Sequence, residues 1–145
     1  MKIQKWNKKD IIFPQHLDEI YKNIDFCDVF YMVDKGFVVL NHQPKYSFYK
    51  RLGIPEIQDV FVLPDYRGQG IATALIQFCE KQIHGDMVGI SVPISPQFGQ
   101  AQRLYYKLGY KPDGNGVTYE REQVIHNTMA RVDDNLCLMM VKDLK

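Results

Sequence analysis

The spacing of apolar positions separates helices from strands along this chain. Ile71, Leu75 and Phe78 form one stripe, and Ala72, Ile76, Cys79 and Ile83 form the adjacent one. That spacing predicts an amphipathic helix over 71–83. Ala101, Leu104, Tyr105 and Leu108 share a face, which predicts a second helix over 100–108, stopped by Gly109 as a C-cap. Ile12, His16, Ile20 and Tyr21 fall near helical spacing within 10–23, with Pro14 marking an early position or a break. Strand-type runs lie at 28–33 and 37–41, separated by Asp34-Lys35-Gly36, so a hairpin is expected there. Further strands are expected at 1–6, 56–63, 87–92, 116–121 and 136–141. In the 56–63 strand, Val60, Phe61 and Val62 run without a polar break, as when both faces are covered. Residues 43–55 and 93–99 read as loops, the first long enough to suggest a function.

This order predicts a single α/β domain over 1–145. The chain has 145 residues, enough for one hydrophobic core, and shows no repeat or linker. A net charge of +1 gives no electrostatic case for nucleic acid or an anionic membrane. Cys27, Cys79 and Cys137 are scattered, odd in number and flanked by apolar residues. They read as reduced core thiols rather than a disulfide frame or metal site. The N-terminal residues lack the apolar run of a signal peptide, so a cytoplasmic location is expected.

The sharpest chemical feature is the turn Arg67-Gly68-Gln69-Gly70-Ile71-Ala72 between a strand and a helix. A glycine-rich turn opening a helix presents unpaired N–H groups and the positive end of the helix dipole, and so suits phosphate. No Lys-Ser or Lys-Thr follows, which excludes a P-loop. Thr73 stands where a dinucleotide fingerprint needs its third glycine. A tight turn with no ligand is the structural alternative.

With Arg67, Gly70 and Ala72 so spaced, the turn resembles the pyrophosphate motif of the GNAT superfamily of N-acetyltransferases. Residues 101–110, Ala-Gln-Arg-Leu-Tyr-Tyr-Lys-Leu-Gly-Tyr, resemble that family's later motif. The resemblance covers 56–110 and implies a mixed, partly splayed sheet of six or seven strands with helices on both faces. It implies acetyl-CoA as co-substrate, with the pantetheine arm paired to Val60, Phe61 and Val62. Arg67 and the amides of Gly68, Gln69, Gly70, Ile71, Ala72 and Thr73 would hold the pyrophosphate. Tyr105 would protonate the departing thiolate, and no metal is implied. The alternative for Tyr105 is a core tyrosine, and Tyr106 competes with it from another face. Many family members carry Asn where this chain has Phe98, so one CoA contact differs, with Gln97 or Gln100 as substitutes.

On the acceptor side, the Val62 amide would polarise the thioester carbonyl. Glu56 and Asp59 are the nearest acids for a base or an amine-binding carboxylate. Strand alternation puts them on opposite faces, with Glu56 beside Gln58, Val60 and Val62. The aromatic and cationic segment 44–51 would wall the acceptor pocket and favour a carboxylate or phosphate over a polyamine; otherwise its aromatics simply pack in the core. His16, His42, His84 and His126 carry no catalytic signal. The expected activity is acetyl transfer to a primary amine by direct attack. The alternative is a catalytically silent CoA-binding module, a sensor or partner subunit. The acceptor is a small molecule or a peptide amine, without nucleic acid or membrane, and a homodimer through 136–141 is conceivable.

Overall fold

The computed structural model describes residues 2–7, 20–21 and 24–145. Most of the helix expected at 10–23 lies outside them; Ile20 and Tyr21 are helical. The chain divides into two compact units, Met1–Gln43 with Ile57–His84, and Pro44–Glu56 with Gly85–Lys145. The described residues form eight strands and three α-helices, a mixed α/β architecture with more strands than the six or seven expected.

In the first unit the strands run β1 (Gln4–Lys5), β2 (Cys27–Met32), β3 (Gly36–Asn41) and β4 (Glu56–Val62), in that spatial order. β1 is shorter than the run 1–6. The expected hairpin forms: β2 pairs antiparallel with β3 from Cys27↔Asn41 to Met32↔Gly36. Its turn is made by Asp34 with φ of 57°. Gly36 serves another need: a Cβ there would lie 2.5 Å from the Phe61 carbonyl oxygen. Helix α1 is the six-residue Ser47–Leu52, and α2 is Ile71–Lys81. α2 buries Ile71, Leu75, Ile76 and Cys79 of the stripes read from the sequence; Ala72 and Phe78 are half-buried, and Ile83 lies beyond the end of the helix. Trp6, Tyr21, Cys27, Val29, Phe37 and Val39 form this unit's aromatic core.

The second unit contains α1, within the stretch 43–55 that reads as a loop in sequence. Tyr46, Tyr49, Ile54, Cys137, Met139 and Val141 make a core around it. The aromatics of 44–51 therefore pack inward. Strands β5 (Met87–Pro93), β6 (Lys111–Tyr119), β7 (Glu122–Gln123) and β8 (Leu136–Asp143) follow the spatial order β5-β8-β6-β7. β6 starts earlier than the expected 116 because it continues past a register shift between Pro112 and Val117. Glu120 and Arg121 form the turn into β7 rather than the end of a strand. Helix α3 (Gly99–Lys107) ends at Gly109, whose φ is 100°. All three cysteines are buried, and none is in a disulfide.

Two glycines are set by packing. At Gly89 a Cβ would fall 2.3 Å from the Tyr49 ring, and at Gly36 it meets backbone. Gly89→Ala and Gly36→Ala are each expected to lower stability by roughly 2 kcal/mol. Gly99→Ala, in open helical space, should raise it by about 0.5–1 kcal/mol. Denaturant melts of the three variants check this contrast.

Candidate active site

The phosphate-binding candidate lies in the first unit. β4 ends at Val62, a 3₁₀ turn covers Pro64–Tyr66, and Arg67 returns to extended backbone. Arg67 Nε donates to the Val62 carbonyl at 2.9 Å, which pins the turn to the strand end. That nitrogen of the expected pyrophosphate ligand is thus committed to the turn. Gly68 and Gly70 take φ of 78° and 82°, and a Cβ on either would meet nothing within 4 Å. Gly70 is the N-cap of α2 and supplies no side chain to cap it. The first helical bond to Gly70 comes from the Ala74 amide, at 3.0 Å. The amides of Ile71, Ala72 and Thr73 precede it and are the helix's orphan donors. Gln69 is exposed beside them. Lys35, which carried no signal in the sequence, places its ammonium 5.5 Å from the Tyr66 ring centre on this turn.

β4 departs from the expected alternation. Asp59 has φ of 53° in mid-strand, where a non-glycine residue rarely sits. Gln58 Nε2 donates to the Tyr21 hydroxyl at 3.2 Å, and that hydroxyl donates to the Asp59 carboxylate. Neighbours that alternation sends to opposite faces therefore meet one phenol. Asn41 Nδ2 donates to Gln58 Oε1 at 3.4 Å, extending the network. Burial, reinforced by the Asp59 charge and hydrogen bond, pushes the Tyr21 hydroxyl far above the ordinary tyrosine range. Val60 and Phe61 are only half-buried, so the apolar run is not covered on both faces.

In the second unit, Glu56 is 1% exposed and held in an ion pair. Arg121 Nη2 and Nε approach its Oε2 at 2.7 and 3.2 Å, and Ser91 Oγ donates to the same oxygen at 3.3 Å. Both Arg121 and Ser91 thus meet the one oxygen of this buried carboxyl group. Arg121 and Glu120 have φ of 69° and 51°, a two-residue turn of the type that favours Asn-Gly. The strain is held by Glu120 N donating to the Asn135 carbonyl and Lys45 Nζ donating to the Glu120 carbonyl, at 3.1 and 3.2 Å.

Tyr105 lies on α3, 7% exposed, with the Tyr110 ring 6.4 Å away. Burial pushes its hydroxyl up to about 12. Tyr106 is 73% exposed. Gln102, another residue without a signal in the sequence, donates to the Pro93 carbonyl at 2.9 Å and ties α3 to the end of β5. Phe98 precedes α3 and gives no side-chain cap; Gln97 and Gln100 are exposed. A groove of about 480 Å³ lined by Tyr119, Val124, Ile125, Thr128 and Met129 includes none of the expected site residues. His42 is within 2.9 Å of Asp28, and His84 and His126 are exposed; His16 lies outside the described residues. Among the described residues no group of three or more His, Cys, Asp or Glu is placed to hold a metal, and no helix is long and apolar enough to cross a membrane.

Residues 25–112 match the family model of the acetyltransferase (GNAT) domain, and the chain belongs to that family. No curated protein sequence matches it. Among solved structures it is similar to an aminoglycoside 6′-acetyltransferase type Ii, at 18% identity and a TM-score of 0.67, covering 100% of this chain and 98% of that one. An aminoglycoside 6′-N-acetyltransferase complexed with coenzyme A aligns at 15% identity and a TM-score of 0.62, over 100% and 98% of the two chains. A spermidine N-acetyltransferase from Vibrio cholerae aligns at 15% and 0.64, over 99% and 95%. At these identities the likeness establishes the fold.

Arg121→Ala would leave a buried carboxylate unpaired, and is expected to cost about 3 kcal/mol in a urea melt. Adding Glu56→Gln should recover part of that loss. Tyr105 gives a pH prediction. Its phenol titrates near 10.0 unfolded and about 12 folded, so the unfolded chain loses the proton first. The stability it contributes is intact below pH 10 and lost as pH rises toward 12. Alkaline melts should show that decline, shallower in Tyr105→Phe.

Proposed function

We propose that the protein transfers the acetyl group of acetyl-CoA to a primary amine by direct attack. The observation that carries this reading is the start of α2: a left-handed Gly70 with no side-chain cap, after a turn pinned by Arg67. Amides left unpaired at a helix N-terminus, with the dipole behind them, suit a pyrophosphate. Arg67 to Thr73 would hold it, Arg67 through its terminal guanidinium nitrogens. The half-buried Val60 and Phe61 suit an apolar arm, and Val62 ends the same strand.

In the reaction the amine nitrogen attacks the thioester carbonyl carbon, and the C–S bond breaks. The ammonium proton leaves to a base or to water. The thiolate takes a proton from a donor that must be neutral beforehand. Tyr105 suits that role because burial keeps its phenol protonated across the neutral range. The thiol it would form has a pKa near ~8.5, lower than the phenol's, so transfer is completed by solvent rather than by the phenol alone. Related folds act on aminoglycosides and on spermidine, which agrees with a small cytoplasmic amine as acceptor.

Calorimetry with acetyl-CoA tests the reading. Gly70→Glu puts an anion where phosphate would sit, and is expected to weaken binding roughly tenfold or more. Tyr105→Phe should bind acetyl-CoA normally and lose about 100-fold in kcat. A folded wild-type protein that binds no acetyl-CoA would overturn the proposal.

A further inference from the structure

Midway along β6 the strand leaves its neighbour. Pro112 faces Met140 and Val117 faces Leu138, so β6 runs five positions against two of β8. Asp113-Gly114-Asn115-Gly116 take up the excess, and none of them is in register with a β8 residue. Both glycines are exposed, with φ of 87° and 80°, and a Cβ on either would meet nothing within 4 Å. Neither the ladder nor packing at the glycines therefore fixes this backbone. The Asn115 side chain is also weakly held: its Nδ2 is buried and has no hydrogen-bond partner. The Tyr46 hydroxyl beside it is engaged by Asp113, to which it donates at 2.5 Å. Of the asparagines in the chain, Asn115 alone is followed by glycine.

We propose that Asn115 is a site of self-modification, at which the Gly116 peptide nitrogen displaces the side-chain amide as ammonia. The nitrogen gives up its proton and bonds to the Asn115 Cγ. The Cγ–Nδ2 bond breaks, and ammonia leaves with that proton. The cyclic imide then takes up water at either carbonyl, giving aspartate or isoaspartate at 115. The attack needs a neighbour without a Cβ to crowd the approach and a backbone free to turn, and Gly116 at the bulge supplies both. Asp113-Gly114 could close the same ring, but a carboxylate is a poorer electrophile than an amide. Both Asp113 oxygens are also engaged, Oδ2 by Tyr46 and Oδ1 by the Asn115 amide at 2.9 Å. The aspartate product sets a second carboxylate beside Asp113, so the modified chain gains a negative charge on β6. The step concerns β6 and does not depend on the acetyltransferase reading.

The test is peptide mapping by mass spectrometry of the full folded chain held in mildly alkaline buffer. A synthetic peptide of residues 111–121, held alongside, sets the unrestrained rate. The folded chain should lose the Asn115 amide at a rate within about tenfold of the peptide's. Conversion should speed up as pH rises, because the attacking nitrogen must first lose its proton. Isoaspartate and aspartate should both appear at 115, the first detected by an isoaspartyl methyltransferase, while the other asparagines keep their amides. Anion exchange should resolve the aged protein as a more acidic species. Asn115→Gln, whose longer side chain closes a less favourable ring, should not form that species. Asn115→Ser, which has no amide to lose, should match it, so the result does not hang on one variant folding. The proposal is overturned if the folded chain converts more than about tenfold slower than the peptide. It is also overturned if the acidic species persists in both variants, if aspartate forms with no isoaspartate, or if isoaspartate appears at Asp113 with Asn115 intact.

Discussion

A helix that begins without a capping side chain leaves donors that the chain itself does not satisfy, and the start of α2 is built that way. Serine, threonine, aspartate or asparagine at the N-cap would satisfy one of these donors and add about a few tenths of a kcal/mol over glycine. The chain has Gly70 there, in a left-handed conformation that side chains resist. What is given up in capping is kept as open amides and a dipole facing solvent. The turn is not loose for that reason. The Arg67 side chain fastens it to Val62, and the Leu63 amide donates to the Lys35 carbonyl at 2.8 Å. A donor set for an anion needs both properties, unpaired groups and a backbone that does not collapse onto them.

The second unit solves a different problem, the burial of polar groups. Tyr49 is fully buried with its hydroxyl donating to the Met140 carbonyl, and its ring occupies the space that Gly89 leaves. Burial, with nearby Glu56, pushes that hydroxyl far above the ordinary range, so it acts as a fixed donor. Glu56 is made tolerable by Arg121 and Ser91. A charge at this depth without its partner is among the few single defects that outweigh the strain of a turn.

What could be read from the sequence was what repeats over several turns or lies in one short motif. The α2 stripes, the α3 face, the β2–β3 hairpin and the strand–turn–helix at Gly70 all belong to that class. Helix α1 escaped because six residues give too few turns for a period to appear. The first half of β6 escaped because Pro112, Gly114 and Gly116 are residues that strands disfavour, and they sit at its register shift. The turn at Glu120 and Arg121 has neither glycine nor asparagine to announce it. The Glu56–Arg121 pair spans 65 positions, and only the folded chain reveals it. For Glu56 and Asp59 the residues were legible but the geometry was not, because one left-handed residue cancels the alternation on which the facing argument rests.

The left-handed residues differ in what holds them. Asp34 makes a hairpin turn, where that conformation is ordinary. At Glu120 and Arg121, strain of about 1–3 kcal/mol per residue is set against a buried ion pair whose disruption costs about 3–5 kcal/mol, and two backbone-directed hydrogen bonds assist it. There the turn follows from the charge. Asp59 stands in mid-strand, where no turn asks for the conformation. What opposes its strain is the hydrogen bond from Tyr21 to the Asp59 carboxylate, worth about 1.5–3 kcal/mol, with the Gln58 bond to the same phenol adding about 1 kcal/mol. Aspartate also tolerates left-handed backbone better than most residues. The kink in β4 is therefore held by side chains, as the turn at Glu120 and Arg121 is held by a charge.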